Sequence, residues 1–191
     1  MKLSTFSAWA NGYIAAQQNA VASINLKSVE FVVSKLLEAN RDGKMVFVFG
    51  NGGSAANASH FATDLAKGAS EVTEKPFKVM SLNDNVSWMT AISNDYFYED
   101  VFVRQLRNYC NPGDISIGVS VSGNSPNCVN ALRFSNEHGL YTIAITGRND
   151  CRMRDIAAHT ISISETHYGR VEDAQMTVLH MLCYAFMENY H

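Results

Sequence analysis

The sequence has little positive charge, and this disfavours a nucleic-acid partner. Its 191 residues include 15 Lys and Arg against 18 Asp and Glu, which gives a formal net charge of −3. A nucleic-acid-binding surface usually concentrates Lys and Arg in one basic patch. The sequence contains no such block, so we expect no DNA or RNA partner.

Cysteine is scarce and scattered, which argues against a thiolate metal site. No CxxC pair is present among the four cysteines, which are Cys110, Cys128, Cys151 and Cys183. This spacing is typical of free thiols in a reducing compartment. The sequence also lacks a signal peptide and any run of about 18 apolar residues. We therefore expect a cytoplasmic protein with no membrane partner.

The chain is long enough for one sizeable core, and it lacks any repeat or linker that would divide it. We expect one domain over residues 1–191. Five apolar, β-prone segments alternate with helical patterns, at residues 45–49, 77–82, 115–119, 141–145 and 159–163. This alternation predicts an α/β three-layer sandwich, with a central parallel five-stranded sheet between two helical layers.

Helical patterns also flank the predicted sheet. Residues 4–20 and 22–40 each have amphipathic spacing, residues 151–156 predict a short helix, and Gly169 to Tyr190 predicts a long one. The polar stretch from Gly68 to Lys75 predicts a loop. Phe6, Trp9 and Tyr13 in the first helix are expected to pack in the core, and a subunit interface is the alternative.

A glycine-rich turn after the first predicted strand is typical of an anion site. Gly50-Asn51-Gly52-Gly53-Ser54 separates that strand from a helical pattern. Glycine lets the backbone turn sharply and approach a ligand, and the first N–H groups of a helix point at it. The turn matches neither GxxxxGK[ST] nor GxGxxG, so a nucleotide is not the favoured ligand.

A second loop, rich in hydroxyl groups, follows the third predicted strand. Ser120-Val121-Ser122-Gly123-Asn124-Ser125 precedes Pro126, which suits the first position of a helix. Hydroxyls and backbone N–H groups can bind a phosphate without Lys or Arg. Ordinary turn and capping chemistry explains the same residues. Since both loops follow strands of one parallel sheet, the pair favours phosphate binding.

Two helical patterns carry histidine beside carboxylates. His60 and Asp64 are four residues apart and share a helix face. The last helix carries a second polar set, Glu172, Asp173, Gln175 and His180. Each set alone fits an ordinary surface or core position, whereas the two together suit zinc or a similar ion. Whether the helices meet, and whether Glu172 or Asp173 faces inward, stays open at this point.

These segments together resemble the sugar isomerase (SIS) domain of the phosphoheptose isomerases. The resemblance rests on residues 50–55 with His60-Phe61, on residues 90–96 and 120–125, and on residues 172–180. It extends over nearly the whole chain. The GNGGS and SGNS motifs in this order are specific for the SIS fold, and His180 is more specific for its isomerase branch.

The resemblance implies an aldose–ketose isomerase acting on a phosphorylated sugar. Sedoheptulose 7-phosphate is the leading substrate, with a heptose 7-phosphate for glycan precursors as the product. A proton would move between C1 and C2 through an enediol. The family also implies zinc and a homotetramer with shared sites, with the helical pair of residues 1–42 at the interface.

The resemblance also implies a role for individual residues of this sequence. The zinc positions would be His60, Asp64, Glu172 and His180. Three of these residues, Asp64, Glu172 and His180, would also be catalytic. The phosphate would be held by Ser120, Val121, Ser122 and Ser125. The sugar site would be lined by Asn51, Gly52, Gly53, Asn94 and Asp95.

The sequence departs from that family at three of these positions. Asp64 stands where the family has its base glutamate, Glu172 where it has glutamine, and Val121 where threonine is usual. A shift of about 1 Å in a catalytic group can cost roughly 10²-fold in rate. We therefore predict that Glu172 takes over part of the base or ligand role.

Two other functions are compatible with the sequence. One is a non-catalytic SIS module that senses a sugar phosphate or binds a protein, and the other is an isomerase for a different phosphosugar. Non-catalytic relatives resemble the two loops but lack the histidine of the last helix. His180 therefore favours the enzyme, while Asp64 and Glu172 weakly favour the regulator.

Overall fold

Five strands and eight α-helices alternate in the computed structural model, which describes residues 5–189. The strands are β1 (Met45–Gly50), β2 (Lys78–Ser81), β3 (Ile115–Ser120), β4 (Tyr141–Thr146) and β5 (His159–Ser162). The helices are α1 (Phe6–Ala22), α2 (Leu26–Arg41), α3 (Gly53–Thr63), α4 (Val86–Asp95), α5 (Val103–Tyr109), α6 (Pro126–Glu137), α7 (Arg152–Ile156) and α8 (Tyr168–Asn189). The predicted three-layer α/β sandwich is confirmed.

All neighbouring strands are parallel, in the order β2-β1-β3-β4-β5. The chain therefore moves to one side of β1 first and to the other side afterwards. The last residue of β1, Gly50, pairs in register with Val119 near the end of β3. Ligands of such sheets bind beyond the carboxyl ends of the strands at this change of direction. The two predicted anion loops follow these two strands.

Each face of the sheet is covered by its own helical layer. Successive strand residues point to opposite faces. On one face, Val46 and Val48 belong to a core with residues of α1, α2, α3 and α8. On the other face, Phe47 and Phe49 pack with residues of α4, α5, α6 and α7. Burial on both faces explains why these strands are continuously apolar.

The two N-terminal helices begin later than predicted. The side chain of Asn25 caps α2 by accepting hydrogen bonds from the N–H groups of Lys27 and Ser28, at 3.0 and 3.4 Å. Residues 1–4, and Tyr190 at the predicted end of α8, lie outside the described residues.

Phe6 and Trp9 are 45% and 57% exposed, so on this chain they do not pack in the core.

The loop predicted from Gly68 is wrong at its start, because the helical path continues there. Asp64–Gly68 form a π-helical turn after α3, and Ala69–Glu71 form a 3₁₀ turn. The N–H of Ala69 donates to the carbonyl of Asp64, which is the wide bond of a π turn. Leu65, Gly68 and Ala69 are buried, and this packing outweighs the polar composition of the segment.

No helix within residues 5–189 combines the length and apolar character that crossing a bilayer requires.

Candidate active site

His60, Asp64 and His180 converge between α3 and α8. The Nε2 atoms of His60 and His180 lie 3.3 and 3.6 Å from the same carboxylate oxygen, Asp64 Oδ2. The two imidazole rings pack edge to face with centroids 5.1 Å apart. The helices that sequence spacing left unconnected therefore meet. The histidine side chains are 54% and 42% exposed, so a solute can reach the group.

Asp64 stands where the helical path of α3 widens. It follows the last residue of α3 and begins the π turn, and its carbonyl accepts the N–H of Ala69, five residues on. Such turns are frequent at functional sites. A carboxylate between two imidazoles can accept a proton or share a metal with them. Nitrogen and oxygen donors in this number suit zinc with one open position.

The structure does not bring Glu172 into this group. Only His60, Asp64 and His180 have ligand atoms that all lie within 4.8 Å of one another among the described residues. Glu172 precedes His180 by eight residues, which is about 12 Å along α8. Its carboxylate instead lies against Gly53 at the start of α3, where an added β-carbon would collide with it. Asp173 is exposed, so Glu172 is the inward carboxylate of the two.

A small polar pocket of about 70 Å³ lies between the two strand-end loops. This is the volume of roughly two water molecules, which suits a small anion rather than a sugar ring. It is lined by Asn51, Ser54, Ser120, Val121, Ser122, Ser125, Tyr168 and Glu172. All four predicted phosphate-binding residues are therefore at this pocket. We refer to it as the ester pocket.

Hydrogen bonds within the chain hold the hydroxyl-rich loop in place. Ser120 Oγ accepts the N–H of Gly123 at 3.2 Å and lies 3.3 Å from Ser125 Oγ. Gly123 has a φ of +63°, and Cys151 packs so closely that a side chain at 123 would collide with it. The loop is bonded to the residue that follows β4, because the N–H of Gly147 donates to Val121 O at 3.0 Å.

A larger cavity of about 630 Å³ adjoins the first loop. Asn51, Gly52 and Asn94 line it, together with residues of α3 and α4. This volume lies in the range typical of small-molecule sites. Asn94 Nδ2 donates to Asp95 Oδ1 at 2.9 Å, so Asp95 supports Asn94 rather than lining the cavity. Gly52 has a φ of +56°, which glycine tolerates at this turn.

Asn51 connects the two spaces, because it lines both. Its amide forms a reciprocal pair with the amide of Asn127, with both N–H···O distances at 2.9 Å. Tyr98 OH donates to Asn51 Oδ1 at 2.9 Å. Partial burial raises the pKa of Tyr98, so its phenol stays neutral and remains a donor.

Comparison with known proteins places the chain in a family. A family model described as SIS domain matches residues 11–147. A probable phosphoheptose isomerase of Thermoplasma acidophilum is 35% identical over 91% of this chain and 95% of that protein. A phosphoheptose isomerase of Aquifex aeolicus is 36% identical over 85% of this chain and 88% of that protein. This chain belongs to the phosphoheptose isomerase family.

A solved structure of this family has the same fold. The phosphoheptose isomerase GmhA from Neisseria gonorrhoeae aligns with a TM-score of 0.88 at 25% identity. The alignment covers 95% of this chain and 98% of that one. The sheet, both helical layers and the N-terminal helices are therefore common to this member of the phosphoheptose isomerase family and to GmhA.

Sequence reasoning missed four polar residues of this phosphoheptose isomerase family member. They are Ser54, Tyr98, Asn127 and Tyr168, which line the ester pocket or bond to Asn51. Asn127 could have been predicted to take part, since an asparagine in the first turn of a helix that follows a ligand-binding loop usually needs a hydrogen-bond partner. Tyr98 and Tyr168 carried none, because each reaches its site from a turn or helix end that only the fold brings near.

Proposed function

We propose that this chain interconverts sedoheptulose 7-phosphate and a heptose 7-phosphate as an aldose–ketose isomerase. The observation that carries the proposal is the convergence of His60, Asp64 and His180 in a chain that also has an ester pocket. The relatives named phosphoheptose isomerase support the same reaction. A purely sugar-sensing module would need the ester pocket but not the carboxylate between two imidazoles.

Asp64 is the proposed base. Its Oδ2 atom faces both imidazoles, which leaves Oδ1 to accept a proton. The carboxylate removes a proton from C1 of the ketose while the oxygen at C2 gains one, and the enediol results. Return of a proton to C2 and loss of the hydroxyl proton at C1 then give the aldose. His180, whose Nε2 lies 3.6 Å from Asp64 Oδ2, holds that carboxylate in position.

The three side chains also fit a zinc ion. Ligands about 2.0–2.1 Å from a tetrahedral zinc lie roughly 3.3 Å from one another. The separations of 3.3 and 3.6 Å between Asp64 Oδ2 and the two histidine nitrogens match this value. His60, Asp64 and His180 would hold the ion, and its chemistry would be to polarise the sugar carbonyl. Glu172 is left out of this proposed ligand set.

The ester pocket is the proposed phosphate site. Ser120, Ser122 and Ser125 offer hydroxyl groups there, and Val121 contributes backbone. The starts of α3 and α6 add the unpaired N–H groups of a first helical turn. Asn51 and Gly52 then direct the sugar toward the larger cavity, where Asn94 can meet its hydroxyls.

The proposed assembly is a cytoplasmic homotetramer of one domain per chain, with α1 and α2 at subunit contacts. Phe6, Trp9 and Tyr13 form a ladder of ring contacts with centroid distances of 5.6 and 5.7 Å along α1. Phe6 and Trp9 expose much of their apolar surface. A neighbouring subunit would cover these rings and complete the exposed His60–Asp64–His180 group.

The deciding experiment follows deuterium exchange during turnover of ketose phosphates in D₂O. We expect solvent deuterium at C2 of the aldose formed from sedoheptulose 7-phosphate. In Asp64→Asn, kcat should fall by roughly 10²- to 10⁴-fold, because general base catalysis is lost. Glu188→Gln is the matched control, since it removes an exposed carboxylate at the end of α8.

Other outcomes separate the remaining functions. Exchange with a different ketose phosphate alone would move the proposal to another phosphosugar. Absence of exchange with every sugar, in a protein purified without metal, would favour the sensing module. Full activity of Asp64→Asn would contradict the assignment of the base.

A further inference from the structure

A series of hydrogen bonds connects the start of α6 with the wall of the larger cavity. It begins at the backbone N–H of Cys128, in the first turn of α6, where N–H groups have no partner within the helix. The side chain of Ser125, just before α6, does not cap this turn. Asn127 Oδ1 accepts the Cys128 N–H instead, at 3.0 Å. Asn127 is only 2% exposed, so bulk water does not compete for this bond.

This backbone bond fixes which way the Asn127 amide faces. An amide turned over would place its NH₂ group against the Cys128 N–H, and two buried donors would then face each other. Asn127 Nδ2 is therefore the atom that donates to Asn51 Oδ1, at 2.9 Å. Asn51 Nδ2 donates back to Asn127 Oδ1 at the same distance, so the Asn51 amide is fixed as well.

The Asn51 amide in turn fixes the proton of Tyr98. An amide oxygen can only accept, so the phenol donates its single proton to Asn51 Oδ1, at 2.9 Å. Among the described residues, no donor bonds to the phenol oxygen, and its lone pairs stay available. A hydroxyl that donates one hydrogen bond also accepts more strongly, because successive hydrogen bonds polarise one another.

The phenol oxygen of Tyr98 is placed to discriminate a sugar from a phosphate. Tyr98 lines the larger cavity and is 51% exposed. Its partner Asn51 lines both spaces, so the phenol oxygen lies beside the end of the larger cavity that adjoins the ester pocket. A sugar hydroxyl can donate to an oxygen in this state, whereas an unprotonated phosphate oxygen, which only accepts, cannot.

We propose that Tyr98 is a specificity-determining residue, whose phenol oxygen accepts a hydrogen bond from a sugar hydroxyl near the phosphate end of the substrate. Asn127 is a positioning residue, since it acts on the sugar only through Asn51 and Tyr98. Both roles rest on the proposed function, because they take the larger cavity as the sugar site and the ester pocket as the phosphate site.

The test compares two ligands by calorimetric titration of the whole protein. One is the heptitol phosphate made by reducing the ketone of sedoheptulose 7-phosphate, which has no carbonyl and cannot be isomerised. The other is inorganic phosphate. In Tyr98→Phe, the Kd of the heptitol phosphate should rise by about three- to tenfold, the effect of one neutral hydrogen bond. The Kd of inorganic phosphate should stay nearly unchanged.

Tyr109→Phe is the matched control. It removes a phenol hydroxyl from a residue that is 46% exposed and lines neither the larger cavity nor the ester pocket. Neither Kd should change.

A double variant tests the series of bonds itself. Asn127→Ala lets the Asn51 amide turn over, so that the Tyr98 proton points into the cavity part of the time. The Kd of the heptitol phosphate should then rise by about two- to fivefold. Because both changes act through one phenol oxygen, combining Asn127→Ala with Tyr98→Phe should raise this Kd by less than about twofold beyond Tyr98→Phe alone.

Three results would overturn the inference. One is a Tyr98→Phe protein that binds the heptitol phosphate as tightly as wild type. Another is an equal loss of affinity for both ligands, which would place the effect at the ester pocket. The third is a double variant in which the two effects multiply, because Asn127 would then not act through Tyr98. Should Asn127→Ala not fold, the two ligands still decide the role of Tyr98.

Failure of the isomerase proposal would be recognised separately, since these titrations need no turnover. A protein that shows the Tyr98→Phe contrast but no deuterium exchange would keep the role of Tyr98 and lose the isomerase. A wild-type protein that exchanges deuterium but binds the heptitol phosphate no more tightly than inorganic phosphate would keep the isomerase and overturn the role of Tyr98.

Discussion

The ester pocket and the His60–Asp64–His180 group are built in opposite ways. The hydroxyl-rich loop of the ester pocket follows a buried strand and is held by bonds to the residue that follows β4 and to its own backbone. The imidazole group lies on the outer surfaces of two helices, with both histidines substantially exposed. The first is held by hydrogen bonds within the chain, whereas the second is open to solvent.

This difference predicts that the two regions contribute separate parts of the kinetics. If the ester pocket holds the phosphate as proposed, its rigid loop should bind the substrate and the transition state about equally and so affect KM. If Asp64 is the base as proposed, its carboxylate should act on the proton that moves and so affect kcat. Changes in one region should therefore leave the kinetic constant of the other region nearly untouched.

After Asp64→Asn, the largest effect is expected for His180→Ala. Loss of this imidazole removes one side of the Asp64 carboxylate contact, so kcat should fall by at least about 10²-fold with KM nearly constant. Zinc content, measured by mass spectrometry, should fall in parallel. His138→Ala is the control, since His138 is exposed beyond α6. A fall in affinity without a fall in kcat would contradict the division between the two regions.

A smaller and opposite pattern is expected for Ser122→Ala. One hydrogen bond to a charged group contributes about 1.5–3 kcal/mol, so KM should rise by roughly 10- to 100-fold while kcat stays within about twofold. Ser34→Ala, at an exposed position on α2, should change neither constant. Steady-state kinetics with the sugar phosphate decide the matter, and a selective loss of kcat would show that the loop takes part in the chemistry.

Gly123→Ala tests how tightly the loop is built. The positive φ and the contact with Cys151 both penalise a β-carbon, so the free energy of unfolding should fall by about 1–2 kcal/mol. Gly12→Ala is the contrasting variant, because Gly12 lies inside α1 with open space around it. It should stabilise the protein by about 0.5–1 kcal/mol in chemical denaturation. Equal changes in unfolding free energy for Gly123→Ala and Gly12→Ala would contradict the prediction that a β-carbon at position 123 strains the loop.

The smallest effect concerns the segment between β5 and α8. A hydrogen bond from Arg170, then those from the N–H groups of His167 and Thr166, lower the pKa of Glu165 to about 2. A lowered pKa stabilises the fold above the unfolded value near 4.5 and loses that stabilisation as the pH falls toward 2. Glu165→Gln should therefore destabilise by less than about 1 kcal/mol at pH 7. The difference from wild type should vanish near pH 2 in thermal unfolding.

Most of the fold could be predicted from the sequence, because buried parallel strands have an unmistakable composition. Each of the five predicted strands overlaps an observed one, and both strand-end loops lie where the alternation of elements places them. The start of the segment at Gly68 was not predictable, since its polar composition hides the burial of Gly68 and Ala69. Local pattern cannot anticipate packing that another element supplies.

The candidate site was predictable in its residues but not in its geometry. His60, Asp64 and His180 could be named from spacing and resemblance, yet only the packing of α3 on α8 brings them together. Glu172 was assigned to the same group through the family resemblance, and sequence spacing could not show how far along the axis of α8 its side chain lies from His180. A separation of eight residues is enough to put it in a different pocket.

We expect Asn51 to couple binding in the two cavities, because its side chain lines both. Its side-chain oxygen, Oδ1, already accepts hydrogen bonds from Asn127 and Tyr98. A sugar hydroxyl that donates to this oxygen must therefore displace one of those two donors. An anion in the smaller space and a polyol in the larger one will then alter each other's affinity by the same factor, whichever arrives first. Measuring the affinity of the polyol with and without the anion, and the affinity of the anion with and without the polyol, should give this factor directly.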